Sequence, residues 1–99
     1  MKIRLLTSAY NDLAAGRDFY ERQGVGVGGY FLDSLFSDID SLVLYAALHR
    51  KVFGFHRMLS KRFPYAIYYQ IESREMVVYR VLDCRQNPRK TAAALKSSG

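Results

Sequence analysis

Lys61-Arg62-Phe63-Pro64-Tyr65-Ala66-Ile67-Tyr68-Tyr69-Gln70-Ile71-Glu72, followed after a short turn by Met76-Val77-Val78-Tyr79-Arg80-Val81-Leu82-Asp83-Cys84-Arg85, decides the fold. Tyr65, Ile67, Tyr69 and Ile71 alternate with Ala66, Tyr68 and Gln70, the period of a strand with one face on a core. Glu72-Ser73-Arg74-Glu75 supplies a turn, and Met76 to Cys84 returns as a second strand. Pro64 sits where a strand starts, a position that tolerates its missing N–H. The pair reads as a basic, tyrosine-laden β-hairpin. The alternation places Tyr65 and Tyr69 in the core and leaves Tyr68 as the tyrosine for an exposed role.

Asn87-Pro88 ends the hairpin's second strand, and Pro88 suits the first turn of a short helix running through Thr91 to Lys96. Ser97-Ser98-Gly99 reads as a frayed end. Upstream, Phe55 to Leu59 forms a further strand after a basic connection, His49 to Gly54. Phe31, Leu32, Leu35, Ile39, Leu42 and Val43 mark a helix ending near Tyr45 to Leu48, with Asp33, Ser37, Asp38 and Asp40 on its wet side. Ala9, Leu13, Gly16 and Tyr20 mark an earlier helix from Ser8 to about Gln23, with Thr7 or Ser8 offering a capping hydroxyl. Between the helices, Gly24-Val25-Gly26-Val27-Gly28-Gly29 reads as a tight connection. It lacks the preceding strand and the following Gly-Lys-Ser/Thr of a phosphate loop. Lys2 to Thr7 makes a first strand. The order is β-α-α-β-β-β with a short C-terminal helix: an α+β domain whose helical hairpin packs on a small, mostly antiparallel sheet.

Ninety-nine residues make a single domain, 1–99, long enough to bury about 60–70% of the unfolded surface without staples. No apolar run approaches the ~18 residues of a membrane span. Asn11, Asp12 and Arg17 interrupt any signal-peptide core, and the single cysteine, Cys84, closes no internal disulfide. These features predict a reduced, cytoplasmic protein that takes no membrane. The charge is divided unevenly: residues 1–49 carry four Lys/Arg against six Asp/Glu, residues 50–99 eleven against three. The partner-facing surface is therefore expected in the second half, and the partner is expected to be acidic.

The segments Arg62-Phe63-Pro64-Tyr65-Ala66-Ile67-Tyr68-Tyr69 and Val81-Leu82-Asp83-Cys84-Arg85-Gln86-Asn87-Pro88 resemble the "R-F-P-Y-x-I-x-Y" and "V-L-x-x-R-x-x-P" signatures of the ParE/RelE toxin superfamily. The resemblance runs from Lys2 to about Lys90, with Asp12-Leu13, Phe19-Tyr20, Phe31-Leu32 and Ile39 as earlier landmarks. It implies the toxin of a bacterial type II toxin–antitoxin (plasmid stabilisation) system, silenced by a cognate acidic antitoxin. RelE-like members cleave messenger RNA at the ribosome; ParE-like members are known for inhibiting DNA gyrase.

Cleaving RNA through its own 2′-hydroxyl needs a base, an acid and cations for the phosphorane charge. The resemblance places an arginine of the nucleases at Ala66 and a histidine or arginine at Asp83 or Cys84, and this chain supplies neither. Gln86, Asn87 and Pro88 stand where nucleases tend to finish with a catalytic aromatic or histidine. The ParE-like pattern departs too, at Asp83, Gln86 and Asn87. His56 and Arg85 are the residual catalytic candidates. His56, Arg57, Lys61 and Arg62 suggest a cationic rim, and no Cys/His cluster suggests a metal or other cofactor.

The favoured expectation is a ParE-like gyrase inhibitor without chemistry of its own. Its antitoxin or target contacts are assigned to Arg57, Arg62, Arg80, Arg85, Arg89 and Lys90, with Phe31, Leu35 and Tyr68 as apolar contacts. The alternatives are a RelE-like, ribosome-dependent mRNA endonuclease and a non-toxic binding or regulatory derivative. An apolar stripe uncovered without the antitoxin leaves a homodimer open.

Overall fold

A computed structural model of the chain describes residues 1–45 and 48–98. Its elements are β1 (Lys2–Leu5), α1 (Thr7–Glu21), α2 (Val27–Ser41), a 3₁₀ turn (Leu42–Leu44), β2 (Lys51–Val52), β3 (Phe55–Leu59), β4 (Tyr65–Glu72), β5 (Glu75–Asp83) and α3 (Pro88–Lys96). The expected order holds, with a two-residue strand added inside the basic connection. The expected end of the second helix, Tyr45 to Leu48, falls partly on residues 46 and 47, outside the described residues, as does Gly99 of the expected frayed end. The regular helix stops at Ser41.

The strands form one sheet in the order β1-β5-β4-β3-β2. β1 runs parallel to β5, and every other pairing is antiparallel. The hairpin sets Tyr65 opposite Asp83 and Tyr68 opposite Arg80, while Tyr69 faces Val78. Tyr79 is thus an extra residue on β5, a bulge that turns Tyr79 and Arg80 toward one side of the sheet.

The helical hairpin covers one face. Leu13, Tyr20, Phe31, Leu35 and Ile39 from α1 and α2 pack on Tyr65, Ile67, Tyr69, Val78 and Val81. Phe63 closes this core at one end, its ring centroid 4.8 Å from Tyr20 and 5.1 Å from Phe31. The aromatic half of the Arg62-Phe63-Pro64-Tyr65 motif therefore acts as a clasp between loop and helices. Burial is the main force pushing the Tyr65 hydroxyl pKa up to about 12.

The glycine run does two jobs. Gly28 lies inside α2, where a β-carbon would meet the Arg17 carbonyl oxygen at 2.7 Å, and Gly16 of α1 faces the Phe31 ring as closely. Without side chains there, the helices approach further than larger residues permit. The Glu21 carboxylate accepts hydrogen bonds from the Gly26 and Gly28 amides at 3.1 and 2.9 Å. It thereby occupies the anion-favouring N-terminus of α2, and those amides hold its pKa below the ordinary carboxylate value.

Two expectations about polar side chains are corrected. Neither Thr7 nor Ser8 caps α1: the N-cap is Leu6, and the Ser8 hydroxyl donates instead to the Tyr79 carbonyl at 2.7 Å. Asp38 is not on the wet side of α2 but only 3% exposed, where it accepts from the Ser60 hydroxyl at 2.6 Å. That bond ties α2 to the loop before β4.

Candidate functional site

α3 lies on the sheet face opposite the helical hairpin. Asn87 caps it by accepting from the Arg89 amide at 2.8 Å, Pro88 takes the first turn as expected, and Leu95 packs on Ala66, Tyr68 and Leu82. This docking corrects the reading of Tyr68: alternation does turn it away from the main core, but α3 covers that face, leaving Tyr68 4% exposed. Phe31 and Leu35, expected as partner contacts, are wholly buried beneath the helical hairpin.

Across the covered face, Arg57 of β3, Tyr68 of β4 and Arg80 of β5 stand in one row. Arg80 serves the fold. Its Nε and Nη2 donate to the two Asp12 carboxylate oxygens at 2.7 Å each, and its Nη1 donates to the Ala94 carbonyl at 2.9 Å. The Asp12 carboxylate raises the Arg80 pKa. Asp12 also accepts from the Val81 amide at 2.9 Å. β1 ends at Leu5 beside Val78, so beyond that point β5 has no strand along its β1-side edge. Ser8 and Asp12, one helical turn apart on α1, supply the donor and the acceptor, respectively, that a strand would have given.

Arg57 is different. Its Nε is buried yet has no hydrogen-bond partner, the only such side-chain atom among the described residues. Arg57 lines an open cleft between β2, β3 and the start of α3, whose walls also include Val52, Phe53, Tyr68, Gln86, Pro88 and Thr91. Burial raises the Tyr68 hydroxyl pKa, and the Arg57 charge works against that rise. Cys84 also lines the cleft and is exposed, not packed.

The remaining cations surround this region without converging. Arg62 is exposed in the loop before β4, and Arg89 and Lys90 are exposed on the first turn of α3. Arg85 is exposed but paired, its Nη2 2.7 Å from Asp83, which raises its pKa and lowers that of Asp83. The anticipated rim of His56, Arg57, Lys61 and Arg62 is split by the sheet. Arg57 pairs with Tyr68 on the α3 face, whereas His56 pairs with Tyr69 and stacks on its ring at 5.2 Å on the helical-hairpin face.

His56 and Arg85 also do not form a catalytic pair. His56 lies opposite Tyr69 and Asp83 opposite Tyr65, four residues apart along β4, so roughly 13 Å separates the two levels before Arg85 is reached. A shared phosphodiester demands contact distances of about 3 Å. His56 Nδ1 contacts the His49 carbonyl at 2.7 Å, which requires that nitrogen to carry the proton, and His49 Nδ1 contacts the Tyr69 hydroxyl at 2.6 Å. Both histidines brace the β2–β3 end of the sheet. Among the described residues, no group of three or more His, Cys, Asp or Glu is placed to hold a metal ion, and no helix is long and apolar enough to cross a membrane.

Sequence reasoning missed the cleft because residues from four separate segments form it. The parity of the strands could have paired Arg57 with Tyr68 only once the register was known.

No protein-family profile matches the chain, and no curated protein does. A solved structure does: a chain of the "Chromosomal ParDE TA system from P. aeruginosa" superposes with a TM-score of 0.71 at 18% identity, over 82% of this chain and 92% of that one. The two share a fold of the ParE kind, α+β with three helices and a mixed five-stranded sheet.

Proposed function

We propose that this chain is the toxin of a bacterial type II toxin–antitoxin pair of the ParE kind, acting in the cytoplasm by binding DNA gyrase. It performs no chemistry of its own and is silenced by an acidic antitoxin segment. The observation that carries this reading is the fold shared with a protein of the ParDE system over most of both chains. The cationic second half supports a partner of opposite charge. On the α3 face, Arg57 stands beside Tyr68, while His56 lies beside Tyr69 on the other face and His49 contacts the Tyr69 hydroxyl, which favours binding over general acid–base cleavage at Arg57.

The contact residues are Arg57, Arg62, Arg85, Arg89 and Lys90; Arg80, committed to Asp12, supports them from behind. Replacing Arg62 and Arg85 together with glutamate is expected to weaken antitoxin or target binding more than tenfold. Unchanged affinity removes that patch from the interface.

The test of the function is growth of a bacterial host carrying a DNA-damage reporter after tightly controlled induction of the chain alone. Arrest with the reporter on, followed by loss of supercoiling by gyrase in vitro, supports the proposal. Arrest with shortened transcripts and a silent reporter would move the chain to the messenger-RNA nucleases. Unimpaired growth with soluble, folded protein favours a binding module without toxicity. One observation leans toward that second reading: Asp83 neutralises Arg85 at the end of β5.

A further inference from the structure

Arg57 Nε is costly as it stands. A buried N–H without an acceptor loses its water and gains nothing in return, and native structures rarely keep one without a use for it. A guanidinium presents Nε–H and one Nη–H as parallel donors, a fork that matches the two oxygens of a planar acid. Arg57 lines the cleft, and its Nε is the one buried side-chain donor without an acceptor among the described residues.

The rim of the same cleft carries a second irregularity. Phe53 and Gly54 join β2 to β3 with φ of 56° and 83°. Positive φ at both positions of a two-residue hairpin suits asparagine or glycine, and a bulky aromatic at the first is strained. The turn nevertheless holds Phe53 half exposed at the wall of the cleft that Pro88 also lines. A strained aromatic and an orphaned cation thus share one small space, the kind of coincidence that marks a binding position.

Charge selects the ligand. Among the described residues, Arg57 is the one cation lining the cleft, while Arg50 borders only the adjoining opening. A phosphate monoester brings a charge of about −1.5 to −2, which one guanidinium leaves half compensated; a carboxylate brings one. The apolar surfaces of Val52, Phe53 and Pro88 suit the side chain next to that carboxylate.

We propose that the cleft between the β2–β3 turn and α3 receives one carboxylate side chain of an acidic polypeptide, held by the Arg57 guanidinium with the neighbouring residue against Phe53. This deepens the antitoxin reading and rests on it for the source of the polypeptide.

The experiment follows the Arg57 side-chain Nε–H resonance by nitrogen–proton correlation spectroscopy. A capped heptapeptide alternating leucine and glutamate is titrated into the whole protein, with the glutamine version of the peptide and uridine monophosphate as separate arms. The expected result is a saturable shift of that resonance with the glutamate peptide alone. Arg57→Lys, checked for cooperative unfolding, is expected to bind tenfold or more weakly, and Arg22→Lys, exposed at the end of α1, as the parent does. A resonance that stays still, equal binding of the glutamine peptide, or tighter binding of the nucleotide at Arg57 overturns the proposal; the last reassigns the cleft to phosphate. Growth arrest without peptide binding overturns the cleft and leaves the toxin reading standing. Peptide binding at Arg57 with unimpaired growth does the reverse.

Discussion

Replacing Asp12 by alanine tests whether helix α1 completes the sheet. The Asp12 carboxylate accepts three hydrogen bonds, two from Arg80 and one from the Val81 amide. The two side chains are only 12% and 18% exposed, so neither water nor a neighbour readily replaces the lost partner. Removing one member of a buried ion pair costs about 3–5 kcal/mol. Residual exposure puts this pair at the lower end, about 3 kcal/mol, and the orphaned Val81 amide adds about 1 kcal/mol. A loss of about 4 kcal/mol is a large part of the ~5–15 kcal/mol that holds a small domain folded. It corresponds to a fall in Tm of roughly 15–30 °C.

Urea unfolding followed by circular dichroism at pH 7 measures the loss directly, provided the denaturant slope is unchanged. Arg80→Met removes the cation while keeping most of the apolar stem. The double variant Asp12→Ala/Arg80→Met is expected to lose less than the two single losses combined, by about 1–3 kcal/mol. If Asp12→Ala costs under about 1 kcal/mol, or if the two changes simply add, the carboxylate does not hold the β5 edge and the account of Arg80 as a structural residue fails.

Three further outcomes are expected. Gly28→Ala should destabilise by about 1–3 kcal/mol because its β-carbon meets the Arg17 carbonyl, whereas Gly29→Ala, with open space around it, should stabilise α2 by about 0.5–1 kcal/mol; thermal unfolding of the pair reads the contrast. Glu21 has a depressed folded-state pKa, so its contribution is complete above the ordinary value of 4.5 and disappears as the pH falls through the lower folded value. Glu21→Gln should therefore lower Tm at pH 7 and converge on the parent at strongly acid pH; a constant gap would refute the capping role. The His49 pKa is lowered from 6.5, by burial first and by His56 second. Its contribution is present above pH 6.5 and is lost as the pH falls below it toward the lowered folded-state value, so His49→Gln should flatten the stability profile just below pH 6.5. An unchanged profile would exclude His49 as the group responsible.

The hairpin was legible because strand alternation is a local signal: Tyr65, Ile67 and Tyr69 announce their shared face without help from the rest of the chain. The bounds of the Phe55–Leu59 strand and the helix start at Pro88 were legible for similar reasons. What the sequence did not disclose depends on distant segments. Alternation says that Tyr68 faces away from Ile67, but not that α3 returns to cover it. Asp38 looks solvated from its neighbours on α2, and it is buried because Ser60, 22 residues on, donates to it. Ser8 looks like a cap until β5 presents an unpaired carbonyl beside it. At the candidate site, the charge imbalance singled out the cations of the second half without placing them. Which face each cation occupies depends on strand register, so Arg57 could not be separated from His56, nor Arg80 recognised as tied to Asp12.

The parallel pairing of β1 with β5 also sets an order of events during synthesis. Arg4 and Glu75, joined across that pairing, lie 71 residues apart in the chain. At about 5–20 residues per second, the ribosome adds that interval in roughly 4–14 s. Through those seconds the first strand exists without β5, the strand it pairs with, and α1 and then α2 are made before any strand of the sheet they will cover except β1. Sheet closure is therefore among the last things this chain achieves, and any factor that reaches the nascent helices first meets a surface that the finished protein conceals.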